Sequence, residues 1–190
     1  IFDAPAFELI DELIPEHGLG QRAQHLVYTP FEGQLHSGKL LAQLWKLAHS
    51  KGARFHHHEV EPGTRELESE TRIILATNAL GHEDLVPARG QILMTSPLTD
   101  LKLRGNYHMD EGYVYFRRVG DRILLGGGRN LARDEEQTEV QETTLMIQGY
   151  LENLLREVII PGTPFTVERR WAGTMGFSAD KAPRVEQMGE

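Results

Sequence analysis

Between Gln91 and Gly126 the chain reads as a run of short strands with glycine at the reversals, and no other stretch constrains the fold as much. The segments Gln91–Met94, Tyr107–Met109, Gly112–Arg117 and Arg122–Gly126 carry the aliphatic and aromatic residues that suit a pleated, half-buried surface. Gly112 and the pair Gly120-Asp121 supply the backbone freedom that tight turns need, so neighbouring strands should close as antiparallel hairpins. A helical pattern follows over Glu135–Glu157, with Val140, Thr144, Ile147, Leu151, Leu154 and Val158 along one face and Pro161-Gly162 as its stop. A last strand is expected from Phe165 to Ala172. Strands grouped beside helices, without βαβα alternation, predict an α+β fold. Its core would be an antiparallel (mixed) sheet over residues 85–175 with helices on one face.

Upstream, Phe7, Ile10, Leu13 and Ile14 recur at helical spacing within Pro5–His17, and Gly18 is a natural stop. A second helix is expected over Ser37–Lys51, capped by Ser37 and ended by Gly52 in the left-handed conformation. Leu40, Leu41, Leu44, Trp45 and Ala48 form its apolar stripe. Two strands are expected at Ala53–Val60 and Arg72–Ala76, joined through a turn at Pro62-Gly63.

Charge and composition narrow the function classes. The chain has 20 basic and 28 acidic residues, a net charge of −8, and no basic run longer than Arg169-Arg170, which argues against a nucleic-acid partner. No apolar run approaches the roughly 18 residues of a membrane span. Cysteine is absent, which excludes disulfides, thiolate nucleophiles and thiolate metal sites. With no basic-then-apolar signal pattern at Ile1-Phe2-Asp3, a cytoplasmic location is expected.

Several motifs fail on their chemistry. Gly33 to Lys39 matches the GxxxxGK phosphate loop, but Leu40 stands where a hydroxyl must reach magnesium, and Thr29-Pro30-Phe31-Glu32 is a poor preceding strand. In the run His56-His57-His58, alternation on a strand lets only His56 and His58 share an ion, too few for a metal site. Gly126-Gly127-Gly128 follows a strand yet lacks GxGxxG spacing, so it reads as a tight strand exit or a close backbone approach to a ligand. No GxSxG elbow is present, since Gly176-Phe177-Ser178-Ala179 lacks the closing glycine. The aromatics Tyr107, Tyr113, Tyr115, Phe116 and Trp171 read as core plus rim, with Tyr113 and Tyr115 on one strand face that could line a pocket.

Taken in order, the segments resemble the D-amino-acid-oxidase-like superfamily of FAD-dependent oxidoreductases. Residues 29–55, TPFEGQLHSGKLLAQLWKLAHSKGARF, resemble the helix and strand preceding that superfamily's adenine contact, and RIILATNAL at 72–80 its strand and turn near the cofactor. PARGQILMTSPL at 87–98 is similar to the crossover into its substrate domain. GYVYFRRVGDRILLGGGRN at 112–130 resembles the hairpin of its γ-glutamylputrescine oxidase and glycine/sarcosine oxidase branches. RRWAGTMGFSADKAPRV at 169–185 resembles the stretch leading back to the flavin. The resemblance implies an internal piece of a flavin enzyme. Residues 1–35 would be a substrate-domain helix and linker, 36–84 part of the FAD-binding domain, 85–175 the substrate-binding domain, and 176–190 a return segment.

The implied reaction is oxidation of the C–N bond of an amine or amino acid by hydride transfer to FAD. Tyr115, Tyr107 and His108 would orient the amine or polarise the pocket. Val60, Ala76, Thr77, Asn78, Gly90, Gln91 and Trp171 would line the cofactor. The superfamily's GxGxxG is missing from these residues, so this chain alone is expected neither to bind FAD tightly nor to turn over an amine. Where the amino-acid oxidases often place a carboxylate-binding arginine, this chain has Thr174-Met175-Gly176; an amine substrate, or a carboxylate held by another residue, follows. Unpaired edges on the 53–60 and 72–76 strands would be open to a second copy of the chain. A non-catalytic ligand-binding or assembly module of the same fold is the alternative.

Overall fold

The computed structural model describes residues 5–20, 22–57, 74–80, 84–183 and 185. These fall into two compact units, one of Gln34–Thr77 and one of the residues on either side of it.

The larger unit begins with a two-stranded antiparallel ribbon, β1 (Glu8–Leu9) and β2 (Val27–Tyr28). The helix expected over Pro5–His17 is not formed: a 3₁₀ turn at Asp11–Leu13 follows β1 instead. Asp11 dictates this, because its carboxylate accepts from the Leu26 amide (2.7 Å) and pairs with His25 Nδ1 (2.8 Å), fastening the segment to β2 rather than to its own next turn. Gly18 does end the turn, with a φ of 70°.

In the smaller unit, helix α1 (Ser37–Ser50) lies where its periodicity placed it, and Gly52 closes it at φ 90°. The cap is His36, not Ser37: its Nδ1 accepts from the Lys39 amide at 3.3 Å. The Leu40, Leu41, Leu44 and Trp45 stripe is exposed, apart from a stack of Trp45 on Phe55 with centroids 5.2 Å apart. Residues 53–57 and 74–76 are irregular, so the strands expected there do not form among the described residues; Val60, His58 and the Pro62-Gly63 turn lie outside them.

The centre of the larger unit is a five-stranded sheet, every pairing antiparallel, in the order β4-β5-β6-β3-β7. Its strands are β3 (Val86–Thr95), β4 (Asn106–Met109), β5 (Val114–Val119), β6 (Arg122–Gly127) and β7 (Val167–Phe177). The α+β reading therefore holds. All five strands expected in this region form, with β3 and β7 longer than expected because they pair with each other along almost their whole length; β5 starts two residues later than expected, so Tyr113 lies in the turn before it. Gly120-Asp121 is the two-residue hairpin loop, with Gly120 at φ 63°.

The long helix expected at 135–157 divides. Residues Arg133–Glu136 form a short helix, α2, and α3 starts only at Leu145, running to Leu154 and on through a π-helical turn at Leu155–Ile159. Thr144 stops the two from fusing: its hydroxyl caps α3 at the Ile147 amide, and its own amide donates to Gln91 Oε1 at 2.8 Å. Val140 consequently lies in the extended connection and is exposed. Ile147, Leu151, Leu155 and Ile159 are fully buried against Leu93, Leu125, Val114 and Ile123, which makes the helix-covered side of the sheet the core.

Candidate functional site

Strand alternation sends every second side chain to the side away from α3, and cross-strand register lines these residues up. One such row crosses all five strands: His108 opposite Tyr115, Tyr115 opposite Gly126, Gly126 opposite Ile92, Ile92 opposite Trp171. A parallel row on the covered side runs Tyr107, Phe116, Leu125, Leu93 and Arg170. The register thus divides the candidate residues by face: His108, Tyr115, Gly90 and Trp171 share the open side, and Tyr107 and Gln91 point to the core.

Tyr115 is seated by an absence. A Cβ on Gly126 would stand 2.7 Å from Cε2, Cζ and Oη of Tyr115, so the ring lies directly over the glycine and leans along the row. Burial against the sheet raises the phenol's pKa, so it is a neutral hydroxyl at neutral pH. Among the described residues this hydroxyl has no hydrogen-bond partner, and it is therefore available to a ligand. His108, beside it, is exposed.

Next to this row two glycines place no side chain of their own over the backbone. Gly90 and Gly173 face each other across β3 and β7. A Cβ on Gly173 would meet nothing within 4 Å, and one on Gly90 would meet the Met175 side chain, its methyl at 3.0 Å, and the Gly173 carbonyl oxygen at 3.9 Å. Trp171 and Met175 flank the pair, 38% and 39% exposed. A flat aromatic system can approach main chain here as it could not over branched side chains.

The core-facing candidates have full sets of partners. Tyr107 stacks on Phe116, its hydroxyl accepts from the Arg104 amide at 3.0 Å and is hydrogen-bonded to His17, and burial raises its pKa. Gln91 Nε2 donates to Glu136 (2.8 Å) and Thr144 (3.0 Å). Asn78 stands at the outer edge of β7, at φ 58°, donating to the Thr174 carbonyl at 2.8 Å. Ala76 and Thr77 belong to the smaller unit.

Gly126-Gly127-Gly128 is a strand exit. The Gly128 amide donates to the Tyr113 carbonyl at 3.0 Å, and a Cβ on Gly127 would collide with that same oxygen. The close backbone approach at Gly127 is to Tyr113 and Val114. Beyond it, Arg129 packs between the rings of Tyr113 and Phe177, an element of the open side that motif reading passed over.

The chain thus presents an antiparallel sheet with helices on one face and an aromatic-flanked opposite face. Residues 4–189 match the DAO family of FAD dependent oxidoreductases, and the chain belongs to that family. Its fold is similar to that of L-proline dehydrogenase from P. horikoshii, with a TM-score of 0.69 and 15% identity over 96% of this chain and 56% of that one. The chain thus spans little more than half the length of that structure. No curated protein matches it.

The family's cofactor fits these residues in part. Gly173 leaves room for a planar ring beside Trp171, while the Met175 side chain covers Gly90 and would have to move for the ring to extend there. No GxGxxG loop occurs in these residues for a pyrophosphate. Among the described residues no three His, Asp or Glu side chains gather as metal ligands, and no helix is long and apolar enough to cross a membrane.

Proposed function

We propose that the open side of the sheet is the substrate face of a flavin enzyme that oxidises the C–N bond of an amine or amino acid. Gly90, Gly173 and Trp171 are the residues that would meet the cofactor ring. The chemistry FAD supplies when bound is acceptance of a hydride from the carbon that bears nitrogen. The protein's part is to orient that carbon and to set the protonation state of its neighbours.

The observation that carries this reading is the Tyr115 hydroxyl, held over Gly126 with no described partner and protonated at neutral pH. Such a phenol can accept one N–H of an amine and donate to a second acceptor, fixing the nitrogen without removing its proton. His108, opposite Tyr115 in the β4–β5 pair, is close enough in register to share that task. Tyr107 and Gln91 face the core and enter the reaction only by supporting the strands.

The test is anaerobic mixing of the flavin-loaded full-length protein that carries this chain with primary amines, secondary amines, amino acids and 2-hydroxy acids, following loss of flavin absorbance. Bleaching by a nitrogen compound and not by its hydroxy counterpart is expected. Tyr115→Phe should slow that bleaching about tenfold, the worth of one net hydrogen bond of about 1.4 kcal/mol. No bleaching by any nitrogen compound would leave the non-catalytic binding module as the better reading.

A further inference from the structure

Gly126, Gly90 and Gly173 share the open side on the neighbouring strands β6, β3 and β7, and their surroundings differ. The Tyr115 ring covers Gly126. Met175 covers Gly90, where a Cβ would stand 3.0 Å from the Met175 methyl and 3.9 Å from its sulfur. Over Gly173 a Cβ would meet nothing within 4 Å. Met175 pairs with Ala88, so it reaches Gly90 along the diagonal of the β3–β7 pair, a span that takes a long side chain. Its unbranched thioether turns about three bonds and is partly exposed, so it can swing off Gly90 without moving the backbone.

What would lie over Gly90 follows from its neighbours. Gly126 pairs with Ile92, Ile92 with Trp171, and Gly90 with Gly173. Adjacent strands stand about 4.8 Å apart, so the Tyr115 hydroxyl above β6 and the open floor at Gly173 are separated by roughly 10 Å, with β3 between them. A substrate whose nitrogen meets that hydroxyl, and whose carbon faces a ring beside Trp171, lays the rest of its body over Ile92 and Gly90, where the Met175 methyl rests. This block is apolar: none of Ala88, Gly90, Ile92, Trp171, Gly173 and Met175 carries a charge. The arginines that alternate with them are engaged on the other side of the sheet, Arg89 with Glu136 and Arg170 with Gln148 and Glu152. Arg169 is on the open side, opposite Met94 and beyond Trp171. A charged group set down on the block would lose water and find no partner in these six residues.

We propose that Met175 determines specificity: its thioether is the displaceable wall of a pocket for the apolar substituent on the carbon that bears nitrogen. Short alkyl groups fit beside it, and bulky ones must push it off Gly90. This rests on the reading of the open side as the substrate face.

The test uses the full-length flavin-loaded protein that carries this chain. tert-Butylamine and the bulkier tert-octylamine have no hydrogen on the carbon that bears nitrogen, so they report binding without turnover. In protein with isotope-labelled methionine methyl groups, the Met175 signal, identified by its loss in Met175→Leu, should shift with tert-octylamine and not with tert-butylamine. Affinity for the bulkier amine relative to the smaller should rise about tenfold in Met175→Ala, the worth of a methylene or more in an apolar pocket. In Met175→Leu, which keeps the volume, it should stay within about threefold of the unaltered ratio. The ratio of kcat/KM for hexylamine over propylamine should rise in parallel in Met175→Ala. If the Met175 signal and both ratios are unchanged while amines bleach the flavin, the wall is wrong and the substrate face stands. If the affinity ratio rises in Met175→Ala and no nitrogen compound bleaches the flavin, the wall stands and the C–N chemistry is wrong. Should Met175→Ala fail to fold, the methyl signal of the unaltered protein decides: a shift with tert-octylamine alone supports the wall, and none overturns it.

Discussion

Gly126 shows how much one missing side chain settles: it lets Tyr115 lie flat across β6, and no other residue type could occupy that position without moving the ring. This was within reach of the sequence. A two-residue loop at Gly120-Asp121 sets Val119 against Arg122, and counting back along the hairpin sets Tyr115 against Gly126. The same counting separates Tyr107 from His108 by face. The glycine triplet, however, reads as turn chemistry until the register is drawn, which sets its first residue, Gly126, apart from the strand exit. At this scale Asp11 also gives a pH prediction. The hydrogen bond from His25, and then that from the Leu26 amide, lower its pKa, so the fastening of β1 to β2 is complete above the usual aspartate range and is lost as pH falls through the lowered value. Protection of the Leu26 amide from exchange, relative to its intrinsic rate, should therefore fall on acidification below that range, and Asp11→Asn should show the lower protection already at neutral pH; unchanged protection in both would refute the role.

Among elements, the segment from Gly128 to Thr144 departs most from its sequence pattern. Val140, Thr144 and Ile147 continue a helical stripe on paper, and only the Thr143-Thr144 doublet hints at a start within it. What decides is tertiary: Glu136 is 1% exposed and takes Arg89 Nη2 at 2.7 Å, Arg89 Nε at 3.1 Å and Gln91 Nε2 at 2.8 Å. Those bonds require the chain to break at Gln137 and cross under β3 before α3 begins. No local signal records a pairing of residues 45 or 47 positions apart. Removing one partner leaves a buried charge unpaired, so Glu136→Ala should cost about 3–5 kcal/mol of stability by denaturant unfolding. A loss under about 1 kcal/mol would mean that water reaches Arg89 freely.

For the molecule as a whole, the two sides of the sheet divide the labour. The helix-covered side buries Leu93, Leu125, Ile147 and Leu151 and holds the polar network around Gln91, and the other side keeps glycine, tyrosine and tryptophan open. The strands and the helical stripe made the first side legible. The second depends on β3 pairing with β7 across more than seventy residues of chain, which brings Trp171 beside Ile92 and Gly173 beside Gly90. Periodicity has no memory at that range. The family resemblance supplied the candidates, and register sorted them by side. The claim that the open side is where the reaction happens is tested most directly by Gly126→Ala, which displaces Tyr115 without touching its chemistry. The measurement, on the full-length flavin-loaded protein that carries this chain, is the anaerobic rate of flavin reduction by the best amine or amino acid, taken beside the melting temperature. The account predicts a fall of roughly tenfold to a hundredfold in rate, as misplacing a positioning group does, with a cooperative melt retained. A rate equal to that of the unaltered protein, in a variant that still folds, would contradict it.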